Sequence, residues 1–252
     1  MPGTLYLVPN LLASPETFSA ELLASSVPAD AQSISSQLTY FIAENAKTTR
    51  GFLKVLSERA PLALPLQQIR IAELNIKTAA SSLPALLEPV ENGIDAGLIS
   101  EAGVPAIADP GADLVRLAHE RGITVKPLVG PSSILLTAMA SGLNGQSFAF
   151  NGYLPIDAQQ RASRIRTLEQ RSRQDRQTQL FIETPYRNGA LLEALISNCQ
   201  PQTLLCIAID LTLPTESIRT QSISAWKTLL ARGEQPAFHK KPAVFAFLAA
   251  AK

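Results

Sequence analysis

The chain has 252 residues, of which 46% are hydrophobic and 17% charged, and a formal net charge of +1. This composition excludes a disordered or fibrous chain and belongs to a compact protein with buried cores; at roughly 100–200 residues per domain it allows two modest domains. The near-neutral total conceals an imbalance, because residues 1–128 carry 9 basic and 13 acidic side chains and residues 129–252 carry 13 and 8, giving −4 and +5.

The chain opens with Met1 to Val8, which lacks the basic start and long apolar run of a secretory signal and reads as a strand. A cytoplasmic location is expected from this. Strands are expected at 4–8, 39–43, 96–100 and 123–128, with helices at 14–25, 47–56, 83–91 and 112–121. Gly130-Pro-Ser-Ser133 then leads into an apolar helical run, and a new sheet opens at 147–154, stopped by Pro155. Further strands are expected at 179–183, 204–210, 216–221 and 243–248, with helices at 158–173, 186–197 and 225–230. Apolar β-rich runs alternating with amphipathic stretches are the signature of βα units. The expected fold class is α/β, with two α/β domains of mixed, largely parallel sheets, 1–128 and 129–252, hinged around 128–131.

The longest apolar run, 242–251, is about half of the ~20 residues that a membrane-spanning helix needs, so it reads as a terminal core strand and no membrane partner is expected. Cys199, Cys206, His119 and His239 have no zinc-ligand spacing, so no metal is expected, and the two cysteines read as buried free thiols. Six arginines, 161, 164, 166, 171, 173 and 176, either attract an anionic substrate or form a solvated helix face.

Two segments carry most of the chemical information. Gly97-Leu-Ile-Ser-Glu-Ala-Gly-Val-Pro-Ala-Ile-Ala-Asp-Pro-Gly111 is an apolar strand running into a loop punctuated by glycine and proline. Open α/β sheets bind ligands at strand C-termini; glycine there permits close backbone approach or positive φ, and proline holds the loop preorganised. The bland alternative is a tight strand-to-helix turn. Gly130-Pro-Ser-Ser133 follows another apolar strand and offers hydroxyls and free amides at a helix start, where ordinary capping is the alternative.

Taken in order, Leu5-Tyr-Leu-Val-Pro-Asn10, Ala43-Glu44, Ser100 to Gly111, Leu128-Val-Gly-Pro-Ser-Ser133, Gly152-Tyr-Leu-Pro155 and Glu183-Thr-Pro-Tyr-Arg187 resemble the tetrapyrrole-methylase superfamily. More narrowly they resemble its branch that methylates a ribose 2′-hydroxyl of small-subunit ribosomal RNA. The resemblance implies a homodimeric methyltransferase that holds S-adenosylmethionine in a cleft between its domains, with ribosomal RNA or the small ribosomal subunit as partner. A precorrin-type tetrapyrrole acceptor, or a noncatalytic cofactor-binding module, is the alternative. The superfamily does not use the Gly-x-Gly-x-x-Gly dinucleotide fingerprint.

Matched motif to motif, the resemblance implies cofactor contacts from Pro9, Ala102, Gly103, Val104, Ile107, Ser132 and Ser133, and from Glu183, Thr184, Asp210, Leu211 and Thr212 at later strand ends. Methyl transfer from a sulfonium is an in-line displacement governed by positioning and exclusion of water. A ribose hydroxyl would gain from a base, and Glu44, Glu101, Asp109 and Glu183 are the candidate carboxylates. Glu44 has helix capping as its alternative role, and Asp109 an Asx turn. Lys47 and Arg187 are candidate substrate-binding cations, with Arg187 alternatively pairing with a carboxylate at its helix start. The chain departs from the ribosomal-RNA branch at Pro9-Asn-Leu-Leu-Ala13, where a longer Thr-Pro-Ile-Gly-Asn-Leu loop is expected, and at Asn45-Ala-Lys47, where Asp-Thr-Arg is expected.

Overall fold

The computed structural model describes residues 1–250. Ala251, the last residue of the terminal apolar run, and Lys252 lie outside the described residues. The chain forms two compact units, Met1–Ser132 and a second from Ser133 onward.

The first unit is built on β1 (Thr4–Val8), β2 (Tyr40–Ala43), β3 (Arg70–Glu73), β4 (Ala96–Ile99) and β5 (Thr124–Pro127). All pairings are parallel and the order is β3-β2-β4-β1-β5. Two of the three inner strands, β2 and β4, are buried along their whole length, as their unbroken apolar runs Tyr-Phe-Ile-Ala and Ala-Gly-Leu-Ile require of a sheet covered on both faces. Gly97 is part of that covering, since a Cβ there would lie 2.8 Å from the Phe41 ring.

Alternation along the strands sorts the helices. Phe41, Ala43, Ile99 and Val8 pack with α1 (Ala20–Ser26), α2 (Ala29–Gln37) and α3 (Ala46–Ser57), through Leu23, Ala31, Phe52 and Leu56. Tyr40, Ile42, Leu98 and Leu5 point the other way, onto α4 (Leu83–Glu91) and α5 (Ala112–Glu120), through Leu87, Val90, Leu114 and Ala118. The chain therefore leaves β1 toward β2 on one face and leaves its neighbour β4 toward β5 on the other. This reversal makes a crevice outside the carboxyl ends of β1 and β4, the position where open α/β sheets take their ligands.

The second unit begins with α6 (Ser133–Ala140) and contains β6 (Phe148–Tyr153), α7 (Ala158–Asp175), β7 (Thr178–Glu183), α8 (Asn188–Asn198), β8 (Leu204–Ile209), β9 (Ser217–Ser222), α9 (Ile223–Ala231) and β10 (Ala243–Leu248). Its sheet runs β6-β7-β10-β8-β9, with β6 and β7 parallel and the remaining pairs antiparallel. Phe181, Ile207, Phe245 and Trp226 anchor the larger core, with α7, α8 and α9 packed on that face. On the opposite face, Leu180, Cys206 and Ala246 meet Ile134 and Ala138 of α6. Cys199 and Cys206 are free and buried, and burial pushes both thiols above their ordinary range. Among the described residues no helix is long and apolar enough to cross a membrane.

The expected α/β class holds, and three local expectations need correction. Residues 14–25 are not one helix: a 3-10 turn at Pro15–Thr17 ends at an extended Phe18, and the Ser19 hydroxyl, accepting from the Leu22 amide, starts α1 afresh. Helix α2 is unforeseen because its buried face is polar, with Gln32 Nε2 donating to the Val27 carbonyl at 2.7 Å and Ser35 Oγ to Ala31 at 2.7 Å. Strand β3 is unforeseen because Arg-Ile-Ala-Glu has exposed charged ends, and only pairing with β2 makes it a strand.

Candidate functional site

Three chain segments build the crevice of the first unit: the end of β1, the end of β2 and the long loop after β4. Asn10 fastens the first to the third. Its amide donates to the Gly103 carbonyl at 2.8 Å, and its carbonyl accepts in return from the Gly103 amide at 3.2 Å. Its side-chain Nδ2 donates to the carbonyls of Ser100 and Glu101, both at 3.0 Å, while its Oδ1 accepts from the Leu11 amide. Asn10 is fully buried, so each of these polar groups is satisfied without water. Asn10 is not among the site residues expected from the sequence; an amide side chain directly after a strand end is the signal that marks it.

The loop after β4 holds an unusual backbone. Gly103, Ala106, Ala108 and Gly111 all have positive φ, the two alanines at 64° and 67°. A left-handed alanine costs roughly 1–2 kcal/mol and persists only where its surroundings over-determine it, most often at functional sites. A Cβ on Gly103 would come to 3.1 Å from Leu12. At Gly130, after β5, a Cβ would stand 2.1 Å from that of Pro9, which only a residue without one avoids. The loops thus meet as bare backbone beside Pro9. Val104 is half-buried and Ala102 exposed; Ile107 is 51% exposed and Val129, after β5, 73%, leaving apolar surface open.

Three of the four candidate carboxylates come together here. The Glu101 amide donates to Glu44 Oε2 at 3.0 Å, tying the loop to the end of β2. Helix α3 is therefore not capped by Glu44: Asn45 Oδ1 accepts from the Lys47 and Thr48 amides instead. An Asp at this position would cap the helix as well, so nothing in the structure explains the Asn that replaces the expected Asp. Burial pushes the Glu44 carboxyl up, opposed by the Glu101 amide and reinforced by the Glu101 charge. Asp109 is pushed up to about 6, first by burial, then by the neighbouring Glu44 charge, with Glu101 adding to the rise and the Ser100 hydroxyl acting against it. Ser100 itself is buried, and its Oγ closes no well-shaped hydrogen bond. Lys47 is exposed on the first turn of α3.

In the second unit, Glu183 and Asp210 sit at one edge of the sheet, because Ala243 of β10 lies opposite Glu183 on one side and Ile209 on the other. Both carboxylates are already engaged. Glu183 pairs with Arg187 at 2.7 Å and accepts from the Thr184 amide at 2.7 Å, so the fourth candidate base carries a cation of its own. Arg187 accordingly takes the ion-pair role foreseen as its alternative. Asp210, buried, is held by Lys241 Nζ at 2.6 Å and by the Thr215 hydroxyl at 2.7 Å. Asp210 and Thr212 adopt positive φ, Leu211 between them is buried, and the Thr212 hydroxyl is buried without a partner. Ser132 is the last residue of the first unit and Ser133 the first of α6. Two cavities of the second unit, about 320 Å³ beside Arg173 and Arg176 and about 400 Å³ beside Cys199 and Lys227, share no residue with the expected site.

The arginines of α7 are largely occupied locally. Arg161 donates to the Ile156 carbonyl and Arg166 to Asn198, while Arg171 and Arg173 pair with Asp175 and Glu169 on their own helix.

No protein-family model matches the chain. Among curated proteins it is similar to ribosomal RNA small subunit methyltransferase I of several bacteria. It is 34% identical to the Mesorhizobium japonicum protein over 158 residues, covering 63% of this chain and 52% of that protein. It is 28% identical to the Xylella fastidiosa protein over 233 residues, 92% of this chain and 77% of that one. The chain thus spans about half the length of the Mesorhizobium relative, and 59% of the Vibrio cholerae one. Among solved structures it is similar to the methyltransferase CobJ, with a TM-score of 0.62, 15% identity and coverage of 98% and 95% of the two chains. It is also similar to uroporphyrin-III C-methyltransferase from Thermus thermophilus complexed with S-adenyl homocysteine, with a TM-score of 0.55, 15% identity and coverage of 98% and 97%. The chain therefore has the fold of the tetrapyrrole methyltransferases, and its sequence resembles the ribosomal RNA small subunit methyltransferase I proteins.

Proposed function

We propose that the chain is an S-adenosylmethionine-dependent methyltransferase acting on a ribose 2′-hydroxyl of small-subunit ribosomal RNA, as a cytoplasmic homodimer. The observation that carries this reading is the β1–β4 switch point, where the Ser100–Gly111 motif is folded into a strained loop around three carboxylates. Glu44, Glu101 and Asp109 form no ion pair among the described residues, so their combined field favours a cationic ligand such as a sulfonium. Exposed Ile107 and Val129 offer apolar surface to a purine ring, and Gly103 lets the backbone come close. Similarity to ribosomal RNA small subunit methyltransferase I proteins supports RNA as the acceptor over a tetrapyrrole.

When bound, the donor supplies an electrophilic methyl group. The protein's part is positional: Asn10 fixes the loop that presents Gly103 and Val104, and Pro9 against Gly130 closes the end of β1. A preorganised loop costs no reorganisation when the acceptor arrives.

The test is transfer of a labelled methyl group to RNA from cells lacking the protein, with mapping of the modified position, beside calorimetry with S-adenosylmethionine. One labelled ribose in small-subunit RNA is the expected result. Donor binding with label on a tetrapyrrole would replace the acceptor, and donor binding with no transfer to any acceptor would leave a binding module.

A further inference from the structure

We infer that Asp109 is the group that takes the proton from the acceptor hydroxyl, with Glu44 and Ser100 as the residues that set its readiness to do so. The inference rests on the methyltransferase reading above. In the transfer, the acceptor O–H bond breaks and its proton passes to an Asp109 carboxylate oxygen. The acceptor oxygen forms the new bond to the methyl carbon, the carbon–sulfur bond of the sulfonium donor breaks, and its electron pair stays on sulfur. The proton then leaves Asp109 to water.

Four carboxylates were candidates, and their surroundings separate them. Glu183 is ion-paired to Arg187 and hydrogen-bonded by its neighbour's amide, so its oxygens are committed. Glu44 spends an oxygen on the Glu101 amide, the contact that joins β2 to the loop. Glu101 is exposed on the loop surface. Asp109 is partly buried between two left-handed segments, Ala108 before it and Gly111 after it, and pairs with no cation among the described residues. The charged groups bearing on it are Glu44, from the end of β2, and Glu101, from its own loop. A second observation points the same way. Ser100, 2% exposed, places an otherwise unpartnered hydroxyl beside this carboxyl, a buried polar atom that no structural hydrogen bond explains. A base serves best when it releases its proton near the working pH, and a carboxyl titrating near 6 meets that condition where an ordinary one does not.

The experiment compares the full chain with Asp109→Asn, Glu44→Gln and Ser100→Ala. In Asp109→Asn, kcat falls by about 10²-fold or more while calorimetric affinity for S-adenosylmethionine stays within a few fold, and the acid limb of the kcat/KM profile disappears. Removing the like charge in Glu44→Gln moves that limb to lower pH; removing the hydroxyl in Ser100→Ala moves it to higher pH. Thermal unfolding without donor or RNA gives a readout apart from activity. Because the folded value is raised, the carboxyl's contribution to stability is complete below about pH 4 and is lost as pH rises through about 6. Asp109→Asn therefore melts above the parent at pH 8 and converges with it by pH 4, whereas a structural aspartate would leave the variant weaker at pH 8. An active parent whose Asp109→Asn variant keeps its kcat, or an acid limb unmoved in Glu44→Gln, overturns the inference alone. A parent that binds the donor and methylates nothing overturns the function and the inference with it.

Discussion

Asn10 shows how much of the candidate site hangs on single side chains. Its side-chain amide donates to the carbonyls of both Ser100 and Glu101, in a place with no exposure to water. In Asn10→Ala those carbonyls and the Leu11 amide lose their partner, and unpaired buried polar groups cost about 1–3 kcal/mol each before relaxation. Asn10→Ala is expected to destabilise the first unit by about 2–4 kcal/mol, read as a lower urea midpoint, with loss of donor affinity in calorimetry. An unchanged midpoint would remove the clamp. The same scale explains why four carboxylates equal in the sequence are unequal in the fold. Glu183 has Arg187 four residues along, just before α8, whereas the charged groups bearing on Asp109, Glu44 and Glu101, are both acids. Spacing along the chain made the first pair foreseeable. Contact between Glu44 and the loop bridges 57 residues, and no local pattern announces it.

At the scale of elements, the close approach of β1 and β5 at their ends is fixed by what Gly130 lacks. A methyl group 2.1 Å from the Pro9 ring cannot be accommodated unless one strand end moves. Gly130→Ala is expected to cost about 1–3 kcal/mol, typical of overpacking, and to weaken donor binding. Gly145→Ala, where nothing lies within 4 Å and φ is not positive, is the comparison expected to stay near the parent in both denaturation and calorimetry. Most elements were legible because their periodicity reflects burial: β2 and β4 read as apolar runs, and α3 and α5 as amphipathic helices. Helix α2 and strand β3 were not, for opposite reasons. The former buries Gln32, Ser35 and Ser36 by hydrogen-bonding them, and the latter exposes its ends, so neither displays a hydrophobic pattern.

For the whole molecule, the outward side of α6 bears on assembly. Leu135 is 58% exposed and Met139 78%, while the edge strand β6 of the same unit leaves Phe148 and Tyr153 38% and 55% exposed. In the homodimer proposed above, a second copy of the chain would cover these side chains. Light scattering should give twice the mass of one chain, and Met139→Asp should shift the population toward the single chain at micromolar concentration. A parent that runs at the single-chain mass would count against the dimer. The sequence by itself determined the α/β class and most strands and helices, and it marked the loop segments from which the candidate site is built, since burial, capping and turn residues act locally and leave local patterns. Only the tertiary structure decided which carboxylates share a crevice and why Gly130 stands where it does. Those outcomes depend on parallel strands that bring residues dozens of positions apart to one sheet edge, and strand order is written in long-range packing rather than in any window of the chain.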